Sequence, residues 1–281
     1  MLNIGSWSYI SLLIIGIILL VISYWKAKSK RVFLLFFADV GFILLFDYII
    51  YVWGHAYQYY PHLIHGQYDS KLGGYINAFI IASAATLYAV FQAGIIRGAG
   101  LALFFIMIEI LFMWLGIYEQ YWWKTGYTLI LLFIHFQIIK IWWNALKPMS
   151  RGFLPFITLA SCFFAIRASL AGVQYGILEI RTYQVEWLQR IGQESIALNA
   201  MIVLPFSVFF AYCIHYRRNI WILVGIVISL IIDFGCKVQG YIMAEVPWDW
   251  LYYLAADCLS VWAAIYLGKT LYQEKRLPLN R

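Results

Sequence analysis

Five carboxylates lie within long apolar segments, where a charged side chain is costly. They are Asp39, Asp47, Glu109, Asp233 and Asp257. A charge at the middle of a bilayer costs about 2.5–3.5 kcal/mol on insertion scales, so such groups usually face the bundle interior or a water-filled cavity. In that setting a carboxylate binds a cation or a proton, or it forms an ion pair with another helix.

Two basic residues lie at a similar depth. Lys237 follows Asp233 by four positions, so the two side chains can pair on one helix. Arg167 could pair with Glu109 or Asp47. The acids still outnumber the bases, which predicts that some acids are protonated or exposed to water. The residues that share these properties form the candidate ligand-binding set: Asp47, Glu109, Arg167, Asp233, Lys237 and Asp257.

Two interpretations of this set stay open. In the first, spans two, four, six and eight form an outward-facing acidic cavity for the binding or transport of a cation or a small polar ligand. In the second, the charges form buried ion pairs that fix helix packing. A membrane enzyme acting on a lipid is a further hypothesis, because paired carboxylates can do acid–base chemistry. The sequence contains neither H-E-x-x-H nor G-x-S-x-G.

Apolar segments of about 20 residues, the length that a helix needs to cross a bilayer, recur along the chain. Of its 281 residues, 64% are hydrophobic and 12% are charged, whereas soluble domains carry about 25% charged residues. These properties predict an all-α, polytopic transmembrane bundle that forms one membrane domain. The nine predicted spans are 4–25, 32–53, 75–96, 101–117, 127–146, 153–171, 195–216, 220–243 and 251–267.

The segment 172–193 differs from the spans, because apolar residues recur there at helical spacing beside a charged side. Glu186 and Arg190 are four positions apart and can pair. We expect a short amphipathic helix on the outer surface. An exposed loop is the alternative.

The positions of Lys and Arg predict the orientation. With nine spans and an outer N-terminus, the cytoplasmic turns and the tail hold 13 of the 20 Lys and Arg, while the outer loops hold four. Positive residues concentrate on the cytoplasmic side, which supports an outer N-terminus and a cytoplasmic C-terminus. Because the net charge of +7 comes from these helix ends, it does not indicate a nucleic-acid partner.

His62, His65 and Asp69 share the loop before span three. Their spacing could place three ligands of a divalent metal on one turn. The simpler interpretation is a polar loop whose histidines face water, since no cysteine or further close carboxylate supports a metal. No cofactor is predicted.

An acid followed by a glycine seven positions later occurs in the outer half of three spans. The pairs are Asp47 and Gly54, Glu109 and Gly116, and Asp233 and Gly240. A proline also follows Gly54 and Gly240 at equal distance, and an Asn-Ala pair precedes both Glu109 and Asp233. These matches favour a duplicated unit, spans three to five and seven to nine, of one orientation. The alternative is three helices that independently need glycine for close packing.

The outer loops are rich in tyrosine and tryptophan, which typically form a belt at the membrane interface. They also support another function hypothesis, a non-catalytic assembly or sensing subunit that recognises a partner through the loop containing Trp122 and Trp123. The predicted partners are therefore the lipid bilayer and, on this hypothesis, a membrane protein.

The run Leu115-Gly-Ile-Tyr-Glu-Gln-Tyr-Trp-Trp-Lys-Thr125, with Tyr68-Asp-x-x-Leu-Gly73 before span three, resembles a family of small multi-pass membrane proteins. These are uncharacterised proteins of Gram-positive spore-forming bacteria, and the resemblance covers about residues 32–146. It implies a bacterial plasma-membrane location. It implies no activity, because none is established for the family.

Overall fold

The computed structural model describes residues 3–64, 68–146, 152–191 and 194–272. Within these ranges nine α-helices are long and apolar enough to cross a membrane, which confirms the predicted helical bundle and the number of spans. The helices are α1 (Ile4–Ala27), α2 (Arg31–Asp47), α3 (Asp69–Val90), α4 (Ile95–Trp114), α5 (Thr125–Ala145), α6 (Phe153–Gly172), α7 (Glu194–His215), α8 (Asn219–Val238) and α9 (Asp249–Tyr272).

Two helices begin six residues before their predicted starts. α3 begins at Asp69 rather than at 75, and α4 begins at Ile95 rather than at 101. The added turns contain Asp69, Lys71 and Arg97, and the sequence predicts such charged residues in loops. In α3, however, Lys71 is only 4% exposed and donates a hydrogen bond to Ser195 Oγ of α7. A buried partner thus lets this cation enter the bundle.

A short antiparallel sheet joins helices in each half of the chain. Strand β1 (Tyr57–Tyr59) pairs with β2 (Tyr118–Gln120), and β3 (Arg181–Tyr183) pairs with β4 (Ile242–Ala244). Each position of the first sheet lies 124 residues before its counterpart, so the pair Tyr57 and Gln120 corresponds to Arg181 and Ala244. The two sheets therefore have the same register.

The same offset relates the backbone around the sheets. π-helical turns at 48–53 and 173–177 extend α2 and α6. His55 and Glu179, again 124 positions apart, both adopt positive φ, of 47° and 51°. The structure thus contains a first unit, α2–α5, and a second unit, α6–α9, with the same order of elements. This repeat has one more helix per unit than the sequence predicted.

The structure also corrects the predicted register of the repeat. Glu109 and Asp233 are true counterparts, because α4 and α8 are 124 residues apart. Asp47 is not a counterpart of Asp233, since it lies on α2, which corresponds to α6. The asparagines at 77 and 199 are 122 residues apart, whereas α3 and α7 are 125 apart. The shared asparagines and prolines therefore do not occupy equivalent positions of the two units.

Gly116 and Gly240 are needed for backbone conformation and not for close packing. Each follows a helix end with a positive φ, of 68° and 74°, and a Cβ added at either would meet nothing within 4 Å. Glycine adopts this left-handed conformation at little cost, which is why it commonly ends helices. Gly54 is different, because its Cβ would lie 2.5 Å from the Ile50 carbonyl oxygen.

The predicted surface helix at 172–193 is wrong. The described part of this segment forms the second π-helical turn, strand β3 and a short 3-10 helix, Glu186–Ile191. Arg181 is only 1% exposed. The segment enters the bundle because β3 pairs with β4 and brings Arg181 to buried carboxylates.

The two units meet where α2 packs on α6. A Cβ added at Gly41 of α2 would stand 2.1 Å from the Ser161 carbonyl oxygen of α6. Small residues allow helix backbones to approach in membranes, where packing contacts replace the hydrophobic effect as the driving force. Helix α1 lies outside the repeat and packs along α3, with Gly16 against Phe79.

We predict that Gly41→Ala destabilises the protein by about 1–3 kcal/mol, because the added methyl group forces the two backbones apart. Gly235→Ala is the matched control, since a Cβ at this position of α8 meets nothing within 4 Å. The control should be neutral or slightly stabilising. Melting of both purified variants in mild detergent measures the difference, and equal melting temperatures would contradict this account of the interface.

Candidate functional site

The structure divides the candidate ligand-binding set between the two units. Asp47 and Glu109 line a cavity in the first unit. Arg167, Asp233, Lys237 and Asp257 lie in the second unit, where they form ion pairs. The sequence predicts one cavity shared by the outward-going helices α2, α4, α6 and α8. This prediction is wrong, because the candidate residues divide between two separate places.

Arg181 lies at the centre of the charges in the second unit. Its guanidinium contacts Asp233 Oδ1 at 2.7 Å and Asp249 Oδ2 at 2.6 Å. Lys237 contacts the same two carboxylates, at 2.8 and 2.7 Å. The predicted pairing of Asp233 with Lys237 is thus confirmed, as one contact of a larger cluster. Gln174 donates a further hydrogen bond to Asp249.

Arg167 pairs with Asp257 of α9, and the predicted pairing with Glu109 or Asp47 is wrong. Its Nε donates to Asp257 Oδ1 at 2.5 Å, while Ser229 Oγ donates to the other carboxylate oxygen at 2.7 Å. The guanidinium also stacks over the ring of Tyr253, 4.4 Å from its centroid.

We call these six charged residues the ion cluster: Arg167, Arg181, Asp233, Lys237, Asp249 and Asp257. Three cations balance three carboxylates, so the cluster is neutral. Lys237 is 19% exposed, and the other side chains are at most 4% exposed. A neutral, buried cluster is suited to holding helices together. Arg167 Nη1 and Nη2 have no hydrogen-bond partner among the described residues, and this guanidinium stacks on Tyr253 instead.

Arg181 and Asp249 lie outside the predicted spans, where the sequence predicts charged residues of water-exposed loops. Burial acts to lower the pKa of Arg181, but Tyr183, Asp249 and Asp233 outweigh that effect. The pKa of Arg181 therefore lies above its ordinary value and the side chain stays charged. The seven-residue spacing between an acid and a glycine identifies Asp233, but it carries no information on its partner Arg181.

A cavity of about 310 Å³ lies among the helices of the first unit. Its volume is at the lower end of the range for small-molecule sites. Most of its lining is aliphatic or aromatic, and its other polar side chains are Asp47, Asn77, Glu109, Thr128 and His135. The lining residues are Phe42, Ile43, Phe46, Asp47, Tyr57, Tyr59, Asn77, Ile81, Glu109, Tyr118, Trp123, Thr128, Leu131, Leu132, Ile134, His135 and Ile138.

Two carboxylates supply the charge of this first-unit cavity. Asp47 Oδ1 accepts a hydrogen bond from the Tyr57 hydroxyl at 2.7 Å, and Oδ2 is buried with no hydrogen-bond partner in the described part of the chain. Glu109 Oε1 accepts a hydrogen bond from Gln120 Nε2 at 2.8 Å. Neither Lys nor Arg is among the described residues that line the cavity. Among the residues that the structure describes, the two acids thus share this cavity with no Lys or Arg, whereas Asp47 also lines a smaller neighbouring cavity together with Lys71.

Aromatic rings cover the end of the cavity next to these acids. Tyr59 and Tyr118 have ring centroids 5.2 Å apart, and Trp123 packs edge-on to Tyr57 at 5.8 Å. Burial, together with the neighbouring Asp47 carboxylate, holds the pKa of the Tyr57 hydroxyl well above its ordinary value. Tyr57 therefore stays protonated and remains a donor to Asp47.

Asp39 and His135 join α2 to α5 in the inner part of the cavity. His135 Nε2 lies 3.1 Å from Asp39 Oδ1, and the Asp39 side chain is fully buried. The ring of Phe42 stacks parallel to the imidazole, with centroids 6.0 Å apart. His135 Nε2 and both Asp39 carboxylate oxygens have no hydrogen-bond partner in the described part of the chain, so this contact brings the two groups together without a hydrogen bond.

Substitutions at equivalent positions explain why only the second unit has an ion cluster. The offset of 124 places Glu109 at the position of Asp233 and Met113 at that of Lys237. It also places Tyr57 at the position of Arg181. The carboxylate on α4 and α8 is thus retained, whereas both of its cationic partners are absent from the first unit.

Asp69, one of the three candidate metal ligands, holds the preceding loop by hydrogen bonds to its backbone. Its carboxylate accepts hydrogen bonds from the backbone N–H groups of His62, Leu63 and Ile64, at 2.6 to 3.1 Å. His65 lies outside the described residues. Within the described ranges no group of three His, Cys, Asp or Glu side chains could hold a metal ion.

The fold and the two groups of buried charges define the structural class of this protein. The chain is a multi-pass membrane protein built from two four-helix units, with an acidic, aromatic cavity in the first unit and a neutral ion cluster in the second. Comparison with protein-family models, with curated proteins and with solved structures finds no match in any of the three.

We predict unequal losses of stability at the equivalent positions Asp233 and Glu109. Asp233→Asn should destabilise the protein by about 3 kcal/mol, because it leaves Arg181 and Lys237 with one carboxylate between them. Glu109→Gln should cost less than about 1 kcal/mol, since no ion pair is lost and an acceptor oxygen remains for Gln120. Melting of the purified variants tests both values, and a larger loss in Glu109→Gln would favour a structural role for Glu109.

Proposed function

We propose that the first-unit cavity binds a small organic cation. The observation that carries this proposal is the pair of carboxylates, Asp47 and Glu109, without a Lys or Arg among the described residues that line the cavity. A buried carboxylate without a cation is costly. A positively charged ligand would supply the charge that Arg181 and Lys237 supply in the second unit.

The size and lining of the cavity favour an organic cation over a metal ion. Calcium takes six to eight oxygen ligands and magnesium requires near-octahedral geometry, whereas the walls here are mainly aliphatic and aromatic. Aromatic ring faces attract ammonium groups by cation–π interaction. The rings of Tyr57, Tyr59, Tyr118 and Trp123 line the cavity together with the two acids, where the head of such a ligand would be placed.

Asp47 is the side chain best suited to contact the ligand directly. One of its oxygens is held by Tyr57, and the other is free to accept a hydrogen bond or an ion pair. Glu109 lines the cavity from α4, and its Oε1 accepts a hydrogen bond from Gln120. A cation between the two would contact both helices.

Transport is a second candidate function, and the repeat favours it. Two units of the same orientation occur in several transporter folds, with the substrate site inside the membrane region. We further propose the orientation given by the Lys and Arg bias, with an outer N-terminus, in a bacterial plasma membrane. The acids then lie in the outer halves of α2 and α4, and the cavity serves the outer side.

We predict that Asp47→Asn and Glu109→Gln each weaken binding of tetramethylammonium at least tenfold, because a tenfold loss needs only about 1.4 kcal/mol. Equilibrium binding of the radiolabelled cation to purified protein is the measurement. Glu119→Gln is the control, since this exposed carboxylate on β2 contacts Tyr60 outside the cavity. Unchanged affinity in both cavity variants, with wild-type binding intact, would refute the assigned site.

Transport is tested separately, in liposomes that contain the purified protein. If the protein transports the cation, preloaded unlabelled tetramethylammonium should accelerate uptake of the labelled ion, and Asp47→Asn should abolish this exchange. Binding without any exchange would restrict the function to recognition of the ligand.

A further inference from the structure

The first-unit cavity opens sideways between α2 and α5. Four of its lining residues, Phe42, Leu131, Ile134 and Ile138, are also 38–44% exposed on the outside of the bundle. All four lie near the middle of their spans. In a membrane this opening therefore faces the hydrocarbon of the bilayer and not water.

The equivalent gap in the second unit is closed. Helix α6 packs along α9, whereas α2 and α5 make few close contacts. The Arg167–Asp257 ion pair joins α6 to α9, and the offset of 124 places Ile43 and Phe133 at the corresponding positions of the first unit. Two apolar residues thus stand where the second unit has this ion pair. In the first unit α2 and α5 are joined by the contact of Asp39 with His135, which lies inward of Asp47.

The two carboxylates that line the cavity lie outward of its apolar opening. Asp47 lies eight residues outward of Asp39 on α2, about 12 Å along a helix, and Phe42 lies between them. The acids and the aromatic rings form the outer end of the cavity. The apolar opening lies inward of them. A ligand with its positive charge between Asp47 and Glu109 would therefore direct an apolar portion through the opening into the bilayer.

We propose that the natural ligand is a single-chain amphiphile with a cationic head and an alkyl tail, and that it enters from the bilayer between α2 and α5. This inference rests on the proposed cation-binding function and specifies its substrate class and route. Charge complementarity places the head at the carboxylates, and the exposed apolar rim places the tail in lipid. The aliphatic wall of α5 accommodates the part of the tail inside the cavity.

The test compares tetramethylammonium with decyltrimethylammonium, both radiolabelled, on protein in phosphatidylcholine nanodiscs. Ile134→Trp narrows the opening, and Ile141→Trp is the matched control, because Ile141 lies on the same helix, is 68% exposed and does not line the cavity. Partitioning of the tail into lipid is equal for all variants, so differences among them report on the protein alone.

We expect Ile134→Trp to weaken decyltrimethylammonium binding at least tenfold and tetramethylammonium binding less than twofold, with neither changed in Ile141→Trp. If Ile134→Trp weakens both ligands equally or neither, entry of a tailed ligand from the bilayer is refuted.

The two proposals fail in different ways. Absence of tetramethylammonium binding to the wild-type protein would refute the cation site itself. Wild-type binding of tetramethylammonium that depends on Asp47, together with decyltrimethylammonium binding that is insensitive to Ile134→Trp, would refute only the lateral route and the tailed substrate.

Discussion

A carboxylate between apolar helices must have a cation, a proton or water beside it, and the two units of this protein meet that requirement differently. In the second unit, Arg181 and Lys237 neutralise Asp233 and Asp249 within hydrogen-bonding distance. In the first unit the corresponding space is a cavity, and its carboxylates face the space that a ligand would occupy. The same physical constraint thus produces a structural core in one half and a candidate binding site in the other.

The repeat shows that the backbone does not decide between these outcomes. Both units have a π-helical turn, a two-stranded sheet with the same register and a glycine of positive φ after the fourth or eighth helix. Backbone hydrogen bonds are therefore satisfied in the same way in each unit, as a membrane environment demands. Side chains at a few equivalent positions, such as Tyr57 and Arg181, make the chemical difference.

The candidate site was only partly predictable. The cost of burying charge identified Asp47 and Glu109, and helical spacing identified the pairing of Asp233 with Lys237. The sequence could not separate these acids into two groups, since both groups share residue types and depth. Nor does the sequence predict the burial of Arg181, because a cation in a connecting segment normally lies in water. The pairing of β3 with β4 places this side chain inside the bundle.

The sequence by itself determined the helical membrane class and the nine spans. These features follow from a local property, the length of the apolar segments. The equivalence of Glu109 with Asp233 needed the structure, because three acid–glycine pairs share the same spacing and only the paired strands fix the offset of the repeat. Tertiary structure alone decided which charges are neutralised, because the ion pairs of Arg167 and Arg181 join residues 52 to 90 positions apart. It also decided where the cavity lies, since the gap between α2 and α5 depends on how four helices pack and not on any one of them.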